Sequence, residues 1–291
     1  MKTRRFAVIG GDMRQAKLAH LLALDGHPVS AFAMEQAQLE GAALAPSLHK
    51  AVCDADCVVL PLPFLDTCRQ INTPLSDIAL PVDEIFSQLT PKQIICGGRV
   101  PEAVLDLASA QGLQLADYFA REELVVANAA VTAEGAIGVA MGATATTLLN
   151  CPVLILGFGR IGKLLAYRLS ALGADVSVQA RSFSDLAWIA ALGYKGIHLN
   201  ELDTSLSGFD ILFNTIPHPV LDAGRLARLD AATLCIDLSS KPGGIDFPAA
   251  AALGLRTIWA LGLPGEVAPV TSAGIIRDTI YNILSEQETA L

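Results

Sequence analysis

Charged residues are scarce in this sequence, and basic residues never form a run. Only 17% of its 291 residues are charged, and the formal net charge is −9 at pH 7. Nucleic acids and anionic membrane surfaces bind clusters of Lys and Arg. This sequence has no such cluster, so neither is expected as a partner. No CxxC pair occurs among the six cysteines, which mostly lie in apolar segments. This pattern predicts buried, reduced thiols in a cytoplasmic protein without a metal site.

The sequence also lacks the polar tracts of a disordered chain. Its residues are 52% hydrophobic, and the mean hydropathy is +0.47. Such a composition is typical of an α/β protein whose parallel strands are buried on both faces. Residues 135–159 carry no charge and are long enough to span a membrane. We reject a span, because Asn150-Cys151-Pro152 interrupts the segment and a strand entering a glycine turn follows.

The order of apolar segments predicts two βαβ domains. The first, residues 1–131, begins with a strand rather than a signal peptide, because its apolar run is short and ends in a glycine turn. A long interdomain helix, residues 132–150 with Thr132 as its N-cap, leads to the second domain, residues 151–270. Apolar spacing in residues 271–291 predicts an amphipathic helix that packs back on the first domain.

A glycine-rich turn in the second domain predicts dinucleotide binding. Gly157, Gly159 and Gly162 form G-x-G-x-x-G directly after an apolar strand and directly before a helix, as this motif requires. The glycines allow a tight turn, and N–H groups at the start of the helix can bind a pyrophosphate. The other residues of the turn expected at the cofactor are Phe158, Arg160 and Ile161.

The end of the next strand, about 20 residues after the glycines, selects between the two dinucleotides. An acidic side chain there binds the ribose 2′-hydroxyl and repels a 2′-phosphate. This sequence instead has Arg181 followed by Ser182, a guanidinium and a hydroxyl that favour a 2′-phosphate. NADP is therefore the predicted cofactor in preference to NAD. The alternative interpretation is that Arg181 is an ordinary solvated arginine.

Two turns of the first domain share one design. VIGGDMR and IICGGRV each end an apolar strand with Gly-Gly, and they place Arg14 and Arg99 nearby. N–H groups and a guanidinium at the carboxyl end of a parallel strand predict an anion pocket. Two such pockets suit a dianionic substrate. The alternative is that the glycines only make tight turns and the arginines pair with carboxylates such as Asp12.

Further candidates lie near the long helix and in two loops of the second domain. Within NAAVTAEG these are Asn128, Thr132 and Glu134. The helix dipole gives this glutamate a purely structural explanation as well. The loops FNTIPHPVL and CIDLSSKPGG should lie on the cofactor side of the sheet, and they contain Asn214, Thr215, His218, Asp237 and Lys241. The histidine is a candidate acid or base, or else an ordinary turn residue between prolines.

Several motifs together resemble those of one family. GGDMR, NAAVTAEGAI, LILGFGRIGKLLAYRL with QARS, LFNTIP, IDLSSKPGGIDF and LGLPGEVAPVTSAGII are similar, over nearly the whole chain, to the A subunit of dipicolinate synthase. More distantly, the layout resembles 2-hydroxy acid and alanine dehydrogenases, which implies a flavodoxin-like substrate domain and a Rossmann domain. The resemblance implies oxidation of dihydrodipicolinate to dipicolinate with a nicotinamide acceptor in the mother cell of a spore former. It also implies a partner, a flavoprotein-like B subunit.

This activity gives each candidate an expected role. The residues expected to hold substrate carboxylates are Arg14, Arg99, Asn128 and Thr132. Glu134 or His218 would accept the proton, and we also expect a homo-oligomer. Two other functions stay open at this point. One is a catalytically silent NADP-binding subunit that docks or regulates the B subunit, and the other is a 2-hydroxy acid or shikimate-type dehydrogenase acting on an alcohol.

Overall fold

The computed structural model describes residues 2–289, which fold into two compact units. Unit 1 comprises the chain up to Asn128 and again from Ala268 onwards, and unit 2 comprises Ala129–Val267. In chain order the strands are β1 Phe6–Ile9, β2 Val29–Phe32, β3 Ala43–Leu44, β4 Cys57–Val59, β5 Ile94–Gly97, β6 Gln114–Asp117, β7 Pro152–Leu156, β8 Asp175–Ala180, β9 Lys195–His198, β10 Ile211–Asn214, β11 Leu234–Asp237 and β12 Arg256–Trp259.

The helices alternate with these strands along the chain. They are α1 Met13–Leu24, α2 Leu48–Val52, α3 Val82–Phe86, α4 Glu102–Ala110, α5 Glu122–Ala143, α6 Arg160–Ala171, α7 Phe183–Ala191, α8 Ala223–Leu226, α9 Phe247–Ala252, α10 Leu263–Val267 and α11 Pro269–Thr289. Short 3₁₀ helices occur at Tyr118–Ala120 and Leu199–Thr204.

The sheet of unit 1 has the flavodoxin-like topology. Its parallel strands lie in the order β3-β2-β1-β4-β5-β6, which becomes 2-1-3-4-5 when the two-residue edge strand β3 is left out. Strand β1 is buried on both faces, with Ala7 and Ile9 in one apolar cluster and Phe6 and Val8 in the other. Burial on both faces explains why this strand is a continuous apolar run. The predicted flavodoxin-like domain is thereby confirmed.

The last helix of the described chain belongs to unit 1. Apolar residues of α11 are buried in the same cluster as residues of α1, namely Ala273, Ile276, Ile280 and Ile283. Near the end of α1, the Tyr281 hydroxyl donates to the Asp25 carboxylate at 2.8 Å, and Arg277 pairs with this carboxylate at 3.3 Å. The chain therefore returns to unit 1 after completing unit 2. Residues 290 and 291 of the helix predicted over 271–291 lie outside the described residues.

Unit 2 has the Rossmann topology. Its parallel strands lie in the order β12-β11-β10-β7-β8-β9, which corresponds to 6-5-4-1-2-3 within the unit. The strand order reverses between β7 and β10, and ligands of such sheets bind outside the carboxyl ends of the strands at this point. The predicted Rossmann domain is confirmed, and its topology brings the glycine turn after β7 close to the loops after β8 and β10.

The helix predicted over residues 132–150 both begins and ends earlier in the structure. It is α5, which begins at Glu122, so Thr132 lies well inside the helix and is not its N-cap. The prediction gave too much weight to the capping preference of threonine. The acidic first turn, with Glu122 and Glu123, was the better signal, because carboxylates are favoured at the positive end of the helix dipole.

By length and composition alone, α5 is the one helix in the described part of the chain that could cross a membrane. Half of its most apolar window is buried within the protein, and Ala133, Ala136 and Ala140 belong to the core of unit 2. Small side chains on that face let the helix pack closely against the sheet and its neighbours. These are the properties of a core helix.

Candidate functional site

The turn between β7 and α6 depends on its glycines. Gly157 has a φ of +95°, and a Cβ there would lie 2.6 Å from the Thr215 hydroxyl oxygen, which donates to the Leu156 carbonyl at 2.8 Å. A Cβ on Gly162 would overlap the Gly157 carbonyl oxygen, well inside the 3.0 Å limit that real Cβ atoms respect. Gly159 is the N-cap of α6 and supplies no side-chain cap. A bound anion can therefore satisfy the first N–H groups of α6.

A cavity of about 640 Å³ lies beside this turn. Gly157, Phe158 and Gly159 line it from the turn, and the loop after β10 lines it from the other side. Arg160 and Ile161 form the start of α6. The end of β8 completes the wall, so the glycine turn and the predicted 2′-phosphate position share one cavity.

Arg181 directly follows β8 and is exposed in the wall of this cavity. Within residues 2–289, its side chain makes no hydrogen bond or ion pair. Ser182 is the N-cap of α7: its hydroxyl accepts from the Asp185 N–H at 3.1 Å and donates to the Asp185 carboxylate at 2.7 Å. The hydroxyl predicted to assist a 2′-phosphate is therefore committed to Asp185. The Arg181 guanidinium is the group that can meet a phosphate here.

Asp185 and Arg225 also line the cavity, although no sequence motif indicated them. Arg225 donates from Nε to the Asp203 carboxylate at 2.7 Å and from Nη1 to the Val220 carbonyl at 2.8 Å. Its hydrogen bond lowers the pKa of Asp203. Arg225 thus supports the loop that carries Val220. No local sequence signal could reveal this role, because its carboxylate partner precedes β10.

Asn214 and Asp237 support the loops from inside. Both side chains are fully buried, and the Asn214 amide donates to the Asp237 carboxylate at 2.8 Å. The same carboxylate accepts from the Ser239 hydroxyl at 2.6 Å and from the Gly244 N–H at 2.7 Å. A buried carboxylate needs such donors. Lys241 is exposed on the loop that these bonds hold. In this structure Asn214 and Asp237 bond to the protein itself, and their contact with a cofactor stays a prediction.

The structure separates the two acid–base candidates. His218 is exposed in the cavity wall, and its Nδ1 lies 3.2 Å from the Pro219 carbonyl oxygen. Glu134 lies on α5 and pairs with Arg168 of α6, with 3.2 Å between Oε1 and Nη2. This pair lines a different, mainly apolar cavity of about 360 Å³. Glu134 and His218 therefore do not lie together in the cavity beside the glycine turn.

The two arginines of unit 1 have different surroundings. Arg14 is buried and bonded to the Asp12 carboxylate through Nε at 3.0 Å and Nη2 at 2.8 Å, and Nη2 also donates to the Leu62 carbonyl. This pairing is the structural alternative that the sequence left open. Arg99 is exposed with a φ of +58°, and its side chain has no polar partner in the described chain. Its N–H donates to Asp117 at 2.9 Å, so the backbone is fixed while the guanidinium is unpaired.

The remaining candidate substrate residues, Asn128 and Thr132, both lie on α5. Residues four apart share one face of a helix. Asn128 is half-buried and ends the first part of unit 1, whereas Thr132 is buried in unit 2. The candidates for binding substrate are therefore distributed over both units.

These features define a class of protein. The strand order of unit 2, its glycine turn and the adjoining cavity are those of a Rossmann-type nucleotide-binding unit, here combined with a flavodoxin-like unit. An L-alanine dehydrogenase has the same fold, with a TM-score of 0.66 at 14% identity over 96% of this chain and 88% of that one.

Three comparisons establish the family. Residues 5–119 match the family model described as the N-terminal domain of the dipicolinate synthase A subunit. The chain is 31% identical to the A subunit of dipicolinate synthase from Bacillus subtilis (strain 168), over 97% of this chain and 96% of that protein. The crystal structure of the dipicolinate synthase A subunit from Bacillus halodurans matches with a TM-score of 0.87 at 30% identity, covering 98% of this chain and 99% of that one. The chain therefore belongs to the family of dipicolinate synthase A subunits, and the predicted resemblance is confirmed.

Proposed function

We propose that this chain is a dehydrogenase that oxidises dihydrodipicolinate to dipicolinate and uses NADP. Membership of the family of dipicolinate synthase A subunits supports the substrate. One observation carries the choice of cofactor: the glycine turn and the unpaired Arg181 line the same cavity. A guanidinium at this position favours a 2′-phosphate, whereas an acidic side chain would reject it.

The reaction removes a hydride and a proton from the ring of the substrate, which becomes aromatic. When bound, the nicotinamide supplies the acceptor for the hydride. The residues of the chain have to hold the substrate ring in position and exclude water, because aromatisation itself makes the reaction favourable. Gly157, Gly159 and Gly162 allow the backbone to approach a pyrophosphate closely, and the start of α6 offers its N–H groups to that phosphate.

For the carboxylates of the substrate we propose Arg99 as the principal ligand. Its guanidinium is exposed and has no polar partner in the described chain, and it can bind a carboxylate through two parallel hydrogen bonds. Asn128 and Thr132 are proposed as additional ligands. Arg14 is proposed to contribute as well, but its pair with Asp12 means that replacement of Arg14 would also disturb the turn after β1.

We propose His218 as the acceptor of the proton. Its Nδ1 lies 3.2 Å from the Pro219 carbonyl oxygen, which only accepts hydrogen bonds, and in the tautomer that donates from Nδ1 the basic atom is Nε2. Glu134, the other candidate, is proposed to stabilise unit 2 through its pair with Arg168.

We further propose that the chain acts with a partner, since the relatives are named as one lettered subunit of a synthase. The partner is a flavoprotein-like B subunit. Formation of a homo-oligomer and action in the cytoplasm of the mother cell during sporulation complete the proposal.

The test is the appearance of NADPH absorbance with freshly generated dihydrodipicolinate, with NADP or NAD, and with or without the B subunit. Turnover by this chain alone, faster with NADP, is the expected result. Turnover only with the B subunit would favour a cofactor-carrying subunit that depends on its partner. Activity with simple 2-hydroxy acids and none with dihydrodipicolinate would replace the proposal by an alcohol dehydrogenase.

A further inference from the structure

Gln179 is a buried polar residue without an explanation in the fold. It lies in β8, two residues before Arg181, and it is only 1% exposed. Its Oε1 is buried without a hydrogen-bond partner, and no other hydrogen bond of this side chain occurs within residues 2–289. Buried carboxamides are normally paired, because an unmade hydrogen bond costs free energy in the folded state. An unpaired carboxamide in the wall of a binding cavity indicates that a bound ligand supplies its hydrogen-bond partner.

The surroundings of Gln179 indicate which part of a ligand would complete it. Gln179 lines the cavity beside the glycine turn, together with Arg181. Gln179 lies near the end of β8 and Arg181 directly follows the strand, so one adenosine in the cavity can reach both side chains. Three aliphatic side chains, Leu199, Ile216 and Val220, line the same cavity and offer apolar surface to a flat ring.

We propose that Gln179 recognises the adenine base of the cofactor by accepting a hydrogen bond from its 6-amino group. This inference rests on the proposed function, since it takes NADP as the ligand. A carboxamide has a donor and an acceptor side by side, which matches the amino group and the adjacent ring nitrogen of adenine. The ribose 2′-hydroxyl is not the partner, because in NADP it carries the phosphate that faces Arg181. The terminal amide rotates at little cost, so either of its ends can turn to the base.

The unpaired Oε1 of Gln179 sets stability against nucleotide binding at this position. In the free protein, Gln179 leaves an unsatisfied polar atom in a buried position, and replacement by an apolar side chain of similar length removes that atom. Gln179→Met should therefore keep or increase the stability of the free protein and at the same time weaken nucleotide binding. A residue with a purely structural role would show the opposite effect on stability.

The experiment compares two ligands and two variants. Calorimetric titration measures the Kd of adenosine 2′,5′-bisphosphate and of purine riboside 2′,5′-bisphosphate, which lacks the 6-amino group. We expect the wild-type protein to bind the adenosine compound about tenfold more tightly, and we expect Gln179→Met to bind both with the weaker affinity. The Tm of the free variant should equal or exceed that of the wild type.

Gln88→Met is the matched control. Gln88 also has a buried Oε1 without a partner, but it belongs to unit 1 and is not among the residues that line the cavity. This control should leave both Kd values unchanged.

Three results would overturn the inference. They are equal affinity of the wild type for the two ligands, wild-type discrimination in Gln179→Met, and a fall in the Tm of Gln179→Met that accounts for its weaker binding. NADP-dependent turnover that persists alongside any of these results would leave the proposed function standing and remove only the role of Gln179. A wild-type protein that binds neither nucleotide and does not turn over NADP would remove both.

Discussion

Gly162→Ala tests the glycine turn most directly. The new Cβ would overlap the Gly157 carbonyl oxygen, and the carbonyl carbon of Gly157 would lie 3.0 Å from it. Both atoms belong to the backbone, so neither can rotate away as the end of a side chain could. The turn has to open by about 1 Å, and such a displacement in a binding site can reduce activity about 100-fold.

Two effects of opposite sign determine the change in stability. Gly162 lies in the first turn of α6, where alanine is favoured over glycine by up to about 1 kcal/mol. Overpacking of a close contact costs about 1–3 kcal/mol. The cost of the overlap should exceed the gain in helix propensity, because both clashing atoms belong to the backbone and no side-chain rotation relieves the contact. We expect the free energy of unfolding to fall by about 1–2 kcal/mol, and the Kd for NADPH to rise about 100-fold.

Urea unfolding and NADPH fluorescence titration measure these two quantities. Gly138→Ala is the matched control, because Gly138 also lies in a helix but a Cβ there would meet nothing within 4 Å. The control should raise the free energy of unfolding by about 0.5–1 kcal/mol and leave the Kd unchanged. If Gly162→Ala were as stable as the control and bound NADPH like the wild type, the close approach at the turn would be refuted.

Three further changes have defined outcomes. Arg181→Ala should raise the Kd for NADP about 10- to 100-fold and leave that for NAD nearly unchanged, because one charge-assisted contact is lost; an unaltered preference would show that the arginine is only solvated. His218→Asn should lower kcat at least about 100-fold with little change in the Kd for NADP, and equal losses in both would make His218 a cofactor ligand instead. Burial lowers the pKa of His27 below its usual 6.5, so the unfolded chain takes up the proton first and the free energy of unfolding should fall as the pH drops below about 6.5. His27→Gln should flatten that pH dependence, and an unchanged slope in urea unfolding at several pH values would contradict the assignment.

Local patterns made much of the fold predictable. Strands such as β1 and β7 are continuous apolar runs because the sheet buries them on both faces, so their type could be inferred without knowing their neighbours. The spacing of Gly157, Gly159 and Gly162 similarly encodes a turn that depends on atoms within a few residues. The position of Arg181 at the end of the next strand followed from the same unit.

Interactions between distant parts of the chain were not predictable in this way. The partners Glu134 and Arg168 lie on successive helices, and Asn214 and Asp237 lie on neighbouring strands. Glu134, Asn214 and Asp237 suggested functional roles by their residue types, and the packing of their elements supplies each with a hydrogen-bonding or ionic partner. The start of α5 was only partly predictable, because two weak signals for a helix N-terminus occur in this segment. One is a threonine N-cap, and the other, the acidic first turn, marks the true start.

The two-domain α/β plan, the glycine turn and the basic residue beside it follow from the sequence alone, because periodicity, turn chemistry and charge at a strand end are local properties. Which polar groups are paired within the protein depends on how its helices and strands pack. Arg14 and Asn214 proved to be paired, whereas Arg99 and Gln179 have no side-chain partner within residues 2–289. That difference depends on which donors and acceptors the packed elements bring within about 3 Å of each other, a distance that no spacing along the chain encodes.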